Sequence, residues 1–157
     1  RSIEHANRVD AQSAGVMAQC GTYAVPTLVT YDALATEGAS LGLPPASVAK
    51  VAEVRDAGLR ALEILKAAGV PMGFGTDLLG ASHRLQSDEF RLRTQVLSPA
   101  EVIASATVVG AELLGMGQRL GRLAPGALAD LLLVDGNPLR SIDCLLMKGG
   151  VVEFQAL

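Results

Sequence analysis

Two residues of types that hold metal ions follow segments that predict strands. His5 follows the short apolar–polar segment 2–4, and Asp77 follows the short apolar segment 70–76. Because active-site groups stand at the carboxyl ends of the strands in parallel α/β barrels, both side chains would face one mouth. An imidazole and a carboxylate are suitable ligands for Zn²⁺ or a similar divalent cation. Spacing alone leaves two other interpretations open, a hydrogen-bonded structural histidine and an aspartate that caps a helix or turn.

Strand and helix signals alternate around these residues up to residue 120. The predicted elements are a helix over 9–20, a strand over 22–30, a polar loop over 31–43, a helix over 46–68, a strand over 70–76, a loop over 78–87, and helices over 98–107 and 111–116. This alternation predicts βα units on a parallel sheet, an α/β fold. The tail, residues 121–157, instead predicts short strands over 129–134, 144–147 and 151–154, which would form a small separate β layer.

Composition excludes several classes of protein. Half of the 157 residues are hydrophobic, 18% are charged and the mean hydropathy is +0.36, which excludes a disordered chain. The net charge is −3 and 3% of the residues are aromatic, so the chain lacks the basic surface and the stacking platforms of a nucleic-acid-binding protein. Charged residues interrupt every apolar run before it reaches about 18 residues, so no membrane span is predicted. Two cysteines do not make a disulfide framework, which favours a reducing, cytoplasmic location.

Five short motifs occur in one order along the chain. They are SIEH at 2–5, GTD at 75–77, GRLAPGALADL at 121–131, DGNPL at 135–139 and MKGG at 147–150. Together they resemble the C-terminal portion of an amidohydrolase-superfamily enzyme, in the imidazolonepropionase-related group that includes metal-dependent Xaa-Pro dipeptidases (prolidases). The resemblance implies part of a (β/α)₈ TIM barrel, about strands 6–8, over residues 1–120. It also implies closing strands of a small β-sandwich over residues 121–157.

The resemblance implies roles for the two strand-end residues. His5 would be the metal ligand after the sixth strand, and Asp77 would be both a metal ligand and the catalytic base after the eighth. A divalent ion lowers the pKa of bound water towards 7, and a carboxylate within reach can accept its proton. The implied cofactor is a divalent metal, Zn²⁺, with one or two ions in the whole enzyme. The family also needs a His-x-His pair, a Lys or Glu and a further His, so the sequence predicts a fragment whose partner is the missing N-terminal part of the barrel.

Three further residues are candidates for substrate binding. His83 and Arg84 lie in the loop that follows Asp77, and the planar guanidinium of Arg84 suits bidentate contact with a carboxylate. Tyr31 follows the predicted strand 22–30 and could donate a hydrogen bond to a substrate carbonyl. The alternative interpretations are a solvated loop for His83 and Arg84, and simple packing at a strand end for Tyr31.

The leading hypothesis is a piece of a metal-dependent hydrolase acting on C–N bonds, with a small-molecule amide or dipeptide such as Xaa-Pro as substrate. No nucleic acid or membrane partner is expected. One alternative is a non-catalytic structural fragment that lacks the rest of the metal site; another is a cyclic-amide hydrolase or a deaminase of the same superfamily. Strand edges left open in a fragment would also favour pairing with a second copy, a homo-oligomer.

Overall fold

Three parallel extended segments lie side by side in the computed structural model, which describes residues 1–146. Strand β1 (Ser2–Glu4) pairs with β2 (Tyr23–Val25) so that Ile3 faces Ala24. Ala24 forms a further parallel bridge with Met72 on its other side. Parallel neighbours need crossover connections of a dozen or more residues, usually helical, and helices do connect these segments. The predicted α/β class is therefore confirmed.

Helix α1 (Ala11–Gln19) makes the first crossover. Its N-cap residue Asp10 accepts a hydrogen bond from the Ser13 N–H at 2.7 Å, and Gly21 follows the helix with φ of 60°. A left-handed residue after the last turn is a common helix ending, and glycine adopts that conformation without strain. Ala14 and Met17 face inward and pack with residues of the second and third extended segments and the helix between them: Ala24, Leu65 and Val70.

Helices α2 (Leu28–Glu37) and α3 (Pro45–Ala67) make the second crossover. The prediction of α3 is confirmed, with proline in its first turn and Gly69 beyond its end at φ of 71°. The predictions around α2 are wrong, because the strand expected over 22–30 ends at Val25 and much of the loop expected over 31–43 is helical. Pro26 ends the ladder, and tertiary burial of the following β-branched residues in a helix overrides their strand propensity.

The third predicted strand is present only as the bridge at Met72. The segment that carries it lies close against β2: a Cβ added at Gly75 would stand 2.8 Å from Cγ1 of Val25. Glycine at 75 therefore permits the close backbone approach that brings the segment before Asp77 beside β2.

Residues 78–113 form short helices that complete the core. They are a 3₁₀ helix Gly80–Leu85, α4 (Asp88–Arg93), α5 (Pro99–Ala106) and α6 (Val108–Leu113). The capping box that predicts α5 is present in full. Helix α4 was not predicted, although acidic residues in its first turn and arginines in its last turn are helix signals. Leu97 and Val102 pack with Leu28 of α2 and Leu62 of α3 in a cluster of buried side chains. No helix within residues 1–146 is long and apolar enough to cross a membrane.

The tail differs from the expected β layer. Residues 129–134 form no strand, and Cys144 and Leu145 of the segment predicted over 144–147 lie in a 3₁₀ helix, Ile142–Leu145. A strand is stabilised by hydrogen bonds to a neighbouring strand, and nothing in residues 1–146 pairs with 129–134. The strand predicted over 151–154 lies outside the described residues. The division into domains at residue 120 stays a prediction.

Candidate functional site

His5 and Asp77 are brought together, as their strand-end positions predict. Nε2 of His5 lies 3.7 Å from Oδ2 of Asp77, although 72 positions separate the two residues. His5 directly follows β1, and its N–H donates to the Val25 carbonyl at 2.9 Å. The backbone φ angles of His5 and Asp77 are 65° and 51°, in the left-handed region that non-glycine residues seldom adopt. Strained backbone of this kind concentrates at functional sites.

The Asp77 backbone is held by helix α2. The Thr30 hydroxyl, itself buried, donates to the Asp77 carbonyl oxygen at 3.1 Å. The carboxylate is left open to solvent, with 57% of the side chain exposed, and the His5 side chain is 40% exposed. The pair therefore combines a fixed backbone with side chains that a small molecule or ion can reach.

The chemistry of this pair fits two ligands of one divalent cation. Nitrogen and oxygen ligands lie about 2.0–2.2 Å from Zn²⁺, so two atoms on one ion can be no more than about 4.3 Å apart. The separation of 3.7 Å between Nε2 and Oδ2 meets that limit. Residues 1–146 contain no group of three or more His, Cys, Asp or Glu side chains placed to share an ion. Catalytic zinc sites usually have three protein ligands, so His5 and Asp77 alone would be one ligand short of such a site.

Thr27 is a member of the site that the sequence interpretation missed. Its Oγ1 lies 2.8 Å from Nδ1 of His5, and the residue is 4% exposed. A histidine that binds a metal through one ring nitrogen commonly has the other nitrogen hydrogen-bonded, which fixes the ring orientation. Pro26 was the available signal, because a proline that ends a ladder places the next residue at the strand end.

Tyr31 lies beside the pair, on the first turns of α2 instead of in a loop. Its ring stands edge-on to the His5 ring, with 6.1 Å between the centroids. Burial, and secondarily the negative charge of Asp77, raise the pKa of the Tyr31 phenol. A phenol in this setting keeps its proton and remains a hydrogen-bond donor.

The other two candidate substrate residues lie on the 3₁₀ helix Gly80–Leu85. Nη2 of Arg84 donates to both carboxylate oxygens of Glu37, at 2.5 and 2.7 Å. His83 is exposed and makes no hydrogen bond or ion pair with His5 or Asp77 in the described structure. The fold therefore joins Tyr31 to the pair, whereas Arg84 already holds a carboxylate supplied by the protein itself.

Glu89 and Arg93 form a fully buried ion pair next to the strand ends. Nε of Arg93 donates to Oε1 of Glu89 at 2.7 Å, and both side chains are 0% exposed. The guanidinium also donates to the carbonyl oxygens of Pro26 at 2.5 Å and Gly73 at 2.9 Å. Arg93 thus connects the end of β2 to the segment that leads to Asp77.

Glu89 also contacts the start of helix α2. Its Oε2 accepts the Val29 N–H at 2.7 Å, one of the helix N–H groups that have no partner within the helix. Burial raises the pKa of Glu89, and the charge and hydrogen bonds of Arg93, with those of the helix N-terminus, oppose that rise. Helix α4, which the sequence interpretation did not predict, carries both of these residues.

A cavity of about 860 Å³ opens beside His5, and Asp77 is not among the residues that line it. His5, Asn7 and Tyr31 line its polar part, while Val16 and Met17 of α1 line its apolar part. Small-molecule sites are concave and mostly apolar, with a few convergent polar groups.

Comparison with known proteins decides which family this arrangement represents. The sequence model of the amidohydrolase family matches residues 1–153. The chain belongs to the amidohydrolase family. The resemblance inferred from the five motifs is confirmed.

Individual relatives place this amidohydrolase near the prolidases. A solved amidohydrolase is 66% identical with a TM-score of 0.89, and the match covers 93% of this chain and 35% of that one. A prolidase solved with N-methylphosphonate-L-proline is 54% identical with a TM-score of 0.90, covering 94% of this chain and 36% of that one. An imidazolonepropionase from Cereibacter sphaeroides is 31% identical over 141 residues, which are 84% of this chain and 29% of the relative. The chain thus spans about a third of the length of the proteins that it matches.

Proposed function

We propose that this chain is the part of a metal-dependent hydrolase that carries its catalytic base, in an enzyme that cleaves C–N bonds. The observation that carries the proposal is the approach of His5 Nε2 and Asp77 Oδ2 to 3.7 Å at adjoining strand ends. The preferred substrate class is a dipeptide with a C-terminal proline. The similarity to the prolidase solved with N-methylphosphonate-L-proline supports this choice.

Within a barrel, β1, β2 and the segment at Met72 would be the sixth, seventh and eighth strands. Their parallel order and the helices between them support this assignment. The remaining strands would supply the further ligands that the family pattern requires. Residues 121–157 would contribute the closing strands of the β-sandwich, once neighbouring strands are present to pair with them.

The proposed chemistry divides between the ion and the protein. A bound divalent ion, Zn²⁺ by our proposal, makes its water acidic near neutral pH and polarises the carbonyl that is attacked. His5 would hold the ion through Nε2. Asp77 takes the proton from the attacking water at a carboxylate oxygen and returns it to the leaving nitrogen as the C–N bond breaks.

Tyr31 and Arg84 would bind the substrate. The raised pKa of Tyr31 keeps its O–H protonated, so that it donates to the carbonyl oxygen of the scissile bond. Arg84 would bind the substrate carboxylate in place of Glu37, with His83 beside it. The salt bridge of Arg84 to Glu37 is largely exposed, and exposed pairs contribute only about 0.2–1 kcal/mol, so a substrate carboxylate can displace Glu37.

A cyclic-amide hydrolase is the second candidate. The similarity to imidazolonepropionase favours it, and the same pair of strand-end residues would serve that reaction. A substrate without a carboxylate near the scissile bond would not use Arg84. Turnover of a proline dipeptide compared with turnover of a cyclic amide that has no carboxylate separates the two candidates.

A chimera tests the proposal within a complete barrel. The third of the 66% identical amidohydrolase that matches this chain is replaced by residues 1–157, and hydrolysis of proline dipeptides and of a cyclic amide is measured. We expect Asp77→Asn to lower kcat at least about 100-fold, the contribution of a positioned base. The matched control Asp56→Asn, at an exposed position on α3, should keep the activity. The 157-residue chain alone should be inert, since two protein ligands leave an ion mostly hydrated. Activity that survives Asp77→Asn would contradict the proposed base.

A further inference from the structure

The hydroxyl of Thr27 is not used as its position in the fold would suggest. Thr27 is the N-cap residue of α2 and is 4% exposed. A threonine at an N-cap ordinarily accepts a hydrogen bond from a backbone N–H two or three residues later in the helix. Here the side chain makes no capping bond, and Oγ1 lies 2.8 Å from Nδ1 of His5. A buried hydroxyl is therefore directed to His5 instead of the helix.

Glu89, 60 positions after Val29 in the sequence, caps the N-terminus of α2 instead. Its Oε2 accepts the Val29 N–H at 2.7 Å, and Arg93 holds the carboxylate in place from the other side. A carboxylate at this position also suits the positive end of the helix dipole. Because Glu89 satisfies the start of α2, Thr27 can bond to His5 without leaving the helix uncapped.

This arrangement determines which ring nitrogen of His5 is available. Nδ1 is bound by Thr27, and Nε2 is the nitrogen that lies 3.7 Å from Oδ2 of Asp77. A hydroxyl can both donate and accept, so it can bond either neutral form of the ring. When Nε2 offers its lone pair to a cation, Nδ1–H donates to Thr27 Oγ1; when Nε2 carries the proton, the hydroxyl donates to Nδ1.

We propose that Thr27 is a positioning residue, whose hydroxyl holds the His5 ring so that Nε2 faces Asp77 and a divalent cation shared with it. The identity of the shared ligand rests on the proposed function, whereas the orientation of the ring rests on the contacts of Thr27 alone. By this proposal Thr27 acts through its contact with His5. Glu89 is the residue that makes the hydroxyl available.

Three substitutions in the full 157-residue chain separate positioning from packing. Thr27→Val removes the hydroxyl and keeps the shape, whereas Thr27→Ser keeps the hydroxyl and removes a buried methyl group. Thr36→Val is the matched control on the same helix, because the exposed Thr36 hydroxyl donates to the carbonyl of Asp32 in its own helix. With only two histidines in the chain, ¹⁵N-labelled histidine reports both rings, and His83→Gln assigns the signals.

In Thr27→Val, the ¹⁵N chemical shifts of the His5 ring should move towards those of exposed His83. In Thr27→Ser and Thr36→Val, they should be unchanged. Zinc added to the same samples and followed at the His5 signals should bind about tenfold or more weakly in Thr27→Val, the usual loss when such a partner is removed. If circular dichroism shows Thr27→Val unfolded, Thr27→Ala makes the same comparison.

Unchanged ¹⁵N chemical shifts of His5 in Thr27→Val would overturn the positioning role. If zinc binds at His5 in the unsubstituted chain, an unchanged zinc affinity in Thr27→Val would also overturn it. A chain in which zinc never shifts the His5 signals would instead count against the proposed function. In that case the ring shifts alone decide the role of Thr27. The two proposals therefore fail by different observations.

Discussion

The helix that packs on the strands buries its leucines, whereas the tail, residues 121–146, leaves several leucines exposed. Around the strands, Leu62 and Leu65 of α3 are 0% exposed and pack into clusters that include side chains from other elements. In the tail, Leu132 is 69% exposed and Leu133 is 99% exposed. Among residues 121–146 Ile142 is the one buried side chain. The amidohydrolase segment thus buries the leucines of α3 and leaves those of the tail exposed, although β1 also lacks cover, with Ile3 46% exposed.

This difference shows what the βα units need. Each unit carries its own covering helix, so a few parallel segments with their crossovers bury an apolar face between them. A strand of a sandwich has no such cover and needs a second strand beside it and a second sheet above it. Leu132 and Leu133 of the tail have no neighbouring strand or sheet in the described structure and therefore stay exposed.

The largest expected effect comes from breaking the buried ion pair. Arg93→Met leaves Glu89 buried without its partner and also removes the donors to the carbonyl oxygens of Pro26 and Gly73. Removing one member of a buried pair costs about 3–5 kcal/mol, so the free energy of unfolding in urea should fall by that amount.

The control is Arg91→Met, on the same helix two positions away. Arg91 bonds Asp143 across an exposed contact between α4 and the tail, and such pairs contribute about 0–1 kcal/mol. Equal losses in the two variants would mean that the tail is as firmly held as the strand ends. That result would remove the contrast between the two regions.

A leucine in each region gives the second test. Leu62→Ala should lower the free energy of unfolding by about 2–5 kcal/mol, because it leaves a cavity in a packed cluster. Leu133→Ala should change it by no more than about 0.5 kcal/mol, as expected for an exposed side chain. A large loss in Leu133→Ala, measured by the same urea unfolding, would show that the tail packs against something in solution.

The sequence predicted the parts of this fold that depend on local signals. Helix α3 ends at glycine and proline, α5 begins with a capping box, and the approach of His5 to Asp77 follows from the rule that parallel strands share a carboxyl edge. Helix α2 was missed because Val29 and Thr30 have strand propensity, which burial overrides.

The parts that could not be predicted depend on contacts between distant residues. Glu89 lies 60 positions from Val29, and nothing local to either residue indicates that one caps the other. Thr27 is likewise 22 positions from the ring that it contacts. The proximity of His5 to Asp77 could therefore be predicted from their strand-end positions, whereas the residues that contact the pair required the structure.

The smallest expected effect concerns the capping box at the start of α5. Backbone hydrogen bonding from Ser98, followed by the side-chain hydrogen bond from Lys66, lowers the pKa of Glu101 from 4.5 to about 2. A carboxyl whose pKa is lower in the folded chain stabilises the fold above its unfolded pKa, and this contribution is lost as pH falls. The side chain is 45% exposed, so solvent screening limits the contribution to about 1 kcal/mol or less. At pH 7 the unsubstituted chain should be more stable than Glu101→Gln by that amount, and the difference should shrink between pH 4.5 and about 2.

Glu63→Gln, which removes an exposed charge from α3 without touching a cap, is the control. A difference for Glu101→Gln that stays constant down to pH 2 would show that the bond to Ser98 does not depend on the charge of Glu101.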